Sequence, residues 1–107
     1  MEIHFNNTDL ADLYEGKKVN NKFFSSSPQL VSQFVKVVEK LRSVPKIEDM
    51  YKINSLNYKA LTGKRKGSSS VRINGQYRLI FEIIKEDKEP FNVKLLSIEE
   101  ISNHYTM

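Results

Sequence analysis

The sequence predicts an α+β fold, one domain whose helices come early and whose strands come late. Three patterns carry that expectation. Apolar residues recur at three- and four-residue spacing between Leu30 and Leu41. Apolar and polar residues alternate on both sides of Asn74-Gly75. The chain has 107 residues, 39% of them hydrophobic, which suits a single core, and no linker divides it (residues 1–107 read as one domain).

The elements follow in order. In residues 2–5, EIHF, Ile3 and Phe5 alternate with polar neighbours, which reads as a short first strand. Thr8 or Asp9 offers an N-cap for a short helix with Leu10, Leu13 and Tyr14 on one side, and Gly16 closes it. The connector KKVNNKFFSSS is polar, with Phe23 and Phe24 as its anchors. Ser27-Pro28 then starts a longer helix, a hydroxyl followed by proline at the first helical position, where a missing N–H costs nothing. Leu30, Phe34, Val37, Val38 and Leu41 form its apolar stripe and Pro45 ends it. IEDMYKI reads as a short helical turn and NSLNYKAL as a loop or brief strand. Residues 70–73, 77–84 and 91–98 read as three strands, with Phe91, Val93 and Leu95 sharing a face of the last. The order is β-α-α-β-β-β.

The turn at Asn74-Gly75 decides which side chains meet. A two-residue type I′ turn would pair Val71 with Arg78 and so mix arginines with apolar residues on both faces. A three-residue loop, Asn74-Gly75-Gln76, pairs Arg72 with Arg78 instead. Then Val71, Ile73, Tyr77, Leu79, Phe81 and Ile83 share one face, and Arg72, Arg78 and Glu82 share the other. A slip of one residue flips every side chain, so burial selects the three-residue loop. One face then packs on helices and the other presents paired arginines. Like charges placed opposite each other destabilise a sheet. Either an anion belongs between them, or Glu82 or another acidic group neutralises them.

Charge points to the same region. Net charge is only +4, from 17 basic and 13 acidic residues, but residues 59–78 hold Lys59, Lys64, Arg65, Lys66, Arg72 and Arg78 with no acid among them. Such a stretch attracts phosphate-bearing polymers, with an affinity that salt weakens. Cysteine is absent, which excludes disulfides, thiol nucleophiles and thiolate zinc sites. No HExxH, calcium-loop or P-loop pattern occurs, so no metal and no cofactor are expected. Gly63 and Gly67 flank Lys64-Arg65-Lys66, and Ser68 to Ser70 read as the entry to a strand. Of the two histidines, His4 reads as structural. His104 lies near the chain end beside Tyr105 and offers a general acid or base near neutral pH. No leader-like or membrane-spanning apolar run is present, so the cytoplasm is the expected location.

These residues carry a resemblance. LTGKRKGSSSVRINGQYRLIFEI, followed by a strand and ISNHY, resembles the HigB branch of the RelE/ParE toxin superfamily. The pattern is Leu61, Gly63, Gly67, Ser70, Val71, Arg72, Ile73, Asn74, Tyr77, Arg78, Leu79 and Phe81, then His104. It spans about residues 56 to 105, and the N-terminal half agrees in layout. Two departures stand out: Thr62 replaces a lysine common in relatives, and Ser102-Asn103 replace an acidic–aromatic pair before His104.

The resemblance implies a compact RelE-like α+β domain, an antiparallel sheet with two N-terminal helices on one face. It implies the toxin of a type II toxin–antitoxin pair, an endoribonuclease that cuts mRNA in the ribosomal A site and so inhibits translation. On that template Arg78 stabilises the pentavalent phosphate, Arg72 holds it or the ribosomal RNA, and His104 supplies acid–base chemistry with Tyr105 nearby. Lys59, Lys64, Arg65 and Lys66 bind the RNA backbone, and Tyr77 belongs to the core. The implied partner is a helix-turn-helix, HigA-like antitoxin. Two other readings remain open: a ParE-like toxin that inhibits gyrase by binding, and a degraded homologue that only binds its antitoxin.

Overall fold

The computed structural model describes residues 1–21, 24, 26–63 and 67–103. Strand β1 is Ile3–Phe5, helix α1 Thr8–Tyr14, helix α2 Pro28–Ser43 and helix α3 Ile47–Lys52. A 3₁₀ turn, Asn54–Leu56, leads to β2, Lys59–Ala60. Strands β3, Ser68–Arg72, β4, Tyr77–Lys85, and β5, Val93–Asn103, complete one sheet in the order β1-β5-β4-β3-β2.

The expected layout holds, and the sheet is larger than the sequence suggested. Strands β2 to β5 pair antiparallel, but β1 runs parallel to β5, so the sheet is mixed. Three residues of alternation identify a strand and say nothing of its non-local partner. The IEDMYK segment forms a full short helix because Ile47 and Met50, three apart, both reach the core. The cap of α1 is Asn7, ahead of Thr8 and Asp9, the expected candidates. Its side-chain oxygen accepts from the Leu10 N–H at 3.2 Å. Helix α2 begins with Pro28 in its first turn and ends at Ser43, followed by a C-cap, Val44, that is extended as the residue before a proline favours.

The helices cover one face of the sheet. Phe34, Val38 and Leu41 of α2 are fully enclosed against Val71, Leu79, Phe81, Leu96 and Ile98. Each such side chain contributes about 1.5–3 kcal/mol by leaving water. Tyr14 ties α1 to α2 at the surface: its hydroxyl donates to the Glu39 carboxylate and accepts from Arg42 Nε.

The hairpin register is the one burial demanded. Val71 pairs with Leu79 and Arg72 with Arg78. The loop is Asn74-Gly75-Gln76, and Gly75 lacks the positive φ that a type I′ turn would require. Instead Asn74 Oδ1 accepts from the backbone N–H groups of Gln76 and Tyr77, both at 2.8 Å. Asn74 Nδ2 donates to Gln33 Oε1 of α2 at 2.8 Å, which anchors the turn to the helix layer.

Strand β5 departs most from expectation. It starts at Val93, leaving Phe91 exposed outside the strand, and it runs on to Asn103. Ile80 pairs with Glu100 and Phe81 with Ile98, so Glu99 is an extra, bulged residue. Asn7 Nδ2 donates to the Glu99 carbonyl at 3.1 Å and Asn6 Nδ2 to its carboxylate at 2.9 Å. The bulge lets β5 follow β4 to its start, placing Ser102 opposite Arg78 and Asn103 opposite Tyr77.

Candidate phosphate-binding site

Alternation along β3 and β4 puts Ser68, Ser70 and Arg72 with Arg78, Ile80 and Glu82 on the sheet face opposite the helices. Lys59 joins them, because its partner in β2–β3 pairing is Ser70. This face therefore gathers three cations from three strands: Lys59, Arg72 and Arg78.

The two arginines are held differently. Arg72 is exposed, and its Nε donates to the Asn74 carbonyl at 3.2 Å. The turn that sets the register thus also steadies this side chain. Arg78, on the central strand, is only 3% exposed. Its Nε donates to Ser70 Oγ at 2.8 Å, and its Nη2 donates to the Ser70 carbonyl at 3.2 Å and to the Asn57 carbonyl. Its Nη1 is buried and has no hydrogen-bond partner. Burial, and secondarily the charge of Arg72, lowers its pKa. Arginine titrates so high that the group still carries its charge at physiological pH.

Every acceptor on Arg78 is a neutral oxygen, and no carboxylate among the described residues compensates it. The partly buried Glu100, opposite Ile80, shares this face, and Glu82 stands four residues along β4, about 13 Å away at strand rise. Glu82 does not neutralise the arginine pair. A buried, uncompensated cation with a spare donor is an unfavourable arrangement that an anion relieves. An anion on this face would meet the exposed guanidinium of Arg72 beside the field of the buried Arg78.

Of the residues singled out from sequence, the structure brings Lys59, Arg72 and Arg78 together. Lys64, Arg65, Lys66, His104 and Tyr105 lie outside the described residues. Tyr77, expected in the core, is half-buried at the start of β4. His4 is exposed, opposite Ser97 on the parallel strand pair. Three residues with a part in the site had no such part in the sequence reading: Ser70, taken as strand entry, Asn57, and Asn74, read only as a turn residue. The available signal was weak, namely that Ser70 shares a strand face with Arg72.

A groove of about 870 Å³ lies elsewhere, lined by Tyr51, Tyr58, Ile83 and Phe91 among others, and contains neither arginine. Among the described residues no three His, Asp or Glu side chains converge as metal ligands. No helix there is long and apolar enough to cross a membrane.

Comparison with solved structures finds the same architecture in several chains. The YoeB/ParE toxin from Agrobacterium tumefaciens superposes with a TM-score of 0.53 at 17% identity, covering 98% of this chain and 100% of that one. The YoeB dimer from Staphylococcus aureus gives 0.52 at 19% identity, with 98% of each chain covered. YafQ from E. coli strain BL21(DE3) gives 0.50 at 12% identity, covering 98% and 94%. At these identities the likeness is one of fold. Comparison with curated protein sequences finds no match. Residues 3–95 match the family model described as RelE-like toxin of type II toxin-antitoxin system HigB. With nearly the whole chain matched and the RelE-like architecture in place, the protein belongs to the HigB-like family of type II toxins.

Proposed function

We propose that this toxin is a ribosome-dependent endoribonuclease that cleaves mRNA in the ribosomal A site without a metal ion. The observation that carries the reading is Arg78: a buried guanidinium held only by neutral oxygens, with Nη1 unpaired, on one face with Arg72 and Lys59. In the reaction a ribose 2′-hydroxyl gives up its proton to a base or to water and its oxygen attacks the adjacent phosphorus while the bond to the 5′-oxygen breaks. The products are a 2′,3′-cyclic phosphate and a 5′-hydroxyl. Charge builds on the non-bridging oxygens, and a preorganised cation stabilises it more in the transition state than in the ground state. Arg78 fills that role. Arg72 grips the same phosphate or the ribosomal RNA from the exposed side.

The remaining roles rest on sequence. His104 is the residue next after Asn103, whose partner in the sheet is Tyr77, beside Arg78. It serves as the acid that protonates the leaving 5′-oxygen, with Tyr105 adjacent. Lys59, Lys64, Arg65 and Lys66 hold the RNA backbone, a salt-sensitive contribution. The ribosomal substrate places the protein in the cytoplasm. A helix-turn-helix, HigA-like antitoxin is its controlling partner, as the family's two-component description suggests.

The test is primer extension on mRNA incubated with purified ribosomes and the toxin, beside ribosome-free RNA. Cuts that need ribosomes and disappear with Arg78→Ala and His104→Ala support the reading. Intact mRNA with the wild-type protein overturns it and directs attention to gyrase supercoiling.

A further inference from the structure

We propose that Ser70 and the main-chain carbonyl of Asn57 are the positioning groups for Arg78, a neutral cradle that fixes the guanidinium while leaving its charge uncancelled. The consequence for cleavage rests on the nuclease reading; the cradle itself does not.

A guanidinium has five N–H donors. Ser70 Oγ takes the one on Nε, and the carbonyls of Ser70 and Asn57 take those on Nη2. Only the two on Nη1 remain, and Nη1 is the nitrogen without a partner. The three acceptors therefore fix the plane of the group and leave the buried Nη1 as its unpartnered nitrogen. Their neutrality matters as much as their geometry. An aspartate would orient Arg78 equally well but would cancel the charge offered to the substrate. Serine orients it and leaves the charge intact.

Both acceptors are fixed by the fold. Ser70 is fully buried on β3, between Lys59 of β2 and Ile80 of β4. Asn57 closes the 3₁₀ turn in the left-handed region, at φ 44° and ψ 58°. Asparagine and glycine tolerate that conformation, and β-branched residues do not. Because Asn57 acts through its carbonyl, its side chain should be replaceable wherever the backbone can stay left-handed.

The experiment reads the cradle spectroscopically and the reaction separately. The ¹⁵N–¹H signal of the Arg78 Nε–H, assigned by its loss in Arg78→Lys, is followed for solvent exchange in the full-length protein. Single-turnover cleavage on saturating ribosomes runs beside it. In the wild type the Arg78 Nε–H should exchange slowly. Ser70→Ala should speed that exchange at least tenfold, roughly the weight of one hydrogen bond to a charged group, while core amide signals stay in place. Its saturating cleavage rate should fall about ten- to a hundredfold with half-saturation unchanged. Asn57→Val, which cannot hold the left-handed turn, should lower the cleavage rate well below that of Asn57→Gly, which can. Should Ser70→Ala fail to fold, the contrast between the two Asn57 variants decides. Fast exchange in the wild type, or a Ser70→Ala protein whose Nε–H is freed but which cleaves normally, overturns the proposal. Equal rates in Asn57→Gly and Asn57→Val do so as well. If the wild type does not cleave, the nuclease reading fails, and the exchange data alone decide the cradle.

Discussion

Arg72 and Arg78 are the same residue type on one face, yet their surroundings give them different work. Arg72 is exposed and steadied by one carbonyl, which suits the binding role proposed for it. Arg72→Ala should weaken association with ribosomes and reduce the slope of log affinity against log salt by about one, measured by filter binding over a salt series. Arg78 is enclosed and uncompensated, so its charge is retained at a cost to stability. Arg78→Met replaces that cation with an apolar side chain of similar length. We expect folding stability in urea to stay within about 1 kcal/mol of wild type while cleavage is lost, the pattern of a residue kept for function. The pairing of these arginines was legible in the sequence, because only one hairpin register separates charged from apolar side chains. The enclosure of Arg78 was not. It depends on Asn57, 21 residues away, whose carbonyl arrives through a left-handed turn that no local pattern announces.

The β3–β4 hairpin and helix α2 are the elements that place the site. Asn74 satisfies two backbone donors of the loop and bonds Gln33 of α2, while its own carbonyl receives Arg72. Asn74→Ala should cost about 1–3 kcal/mol in urea denaturation, through two N–H groups left without their acceptor. It should also weaken ribosome binding through Arg72 while sparing the Arg78 cradle. Helix α2 was readable from its stripe and its two prolines. Strand β5 was read too short because Glu99 bulges, and a bulge breaks the two-residue alternation on which strand reading depends. That misreading hid the placement of Ser102 and Asn103 beside the start of β4, where they flank Arg78 and Tyr77.

At the scale of the molecule, the sheet separates stability from chemistry. Its covered face carries Phe34, Leu79 and Phe81 with the helices, and its other face carries the cations. Phe34→Ala should destabilise the fold by about 3–5 kcal/mol, a large share of the 5–15 typical of a domain this size, as measured by thermal and urea unfolding. Near 25 °C, the fraction that stays folded should cleave at the wild-type rate. In the proposed reaction Arg78 acts on the reacting phosphate rather than on affinity. The most direct measurement is single-turnover cleavage of ribosome-bound mRNA by Arg78→Ala over a range of ribosome concentrations. We predict a saturating rate about a hundred- to a thousandfold below wild type, with half-saturation little changed. A saturating rate equal to wild type, with the defect confined to half-saturation, would show that Arg78 serves affinity instead.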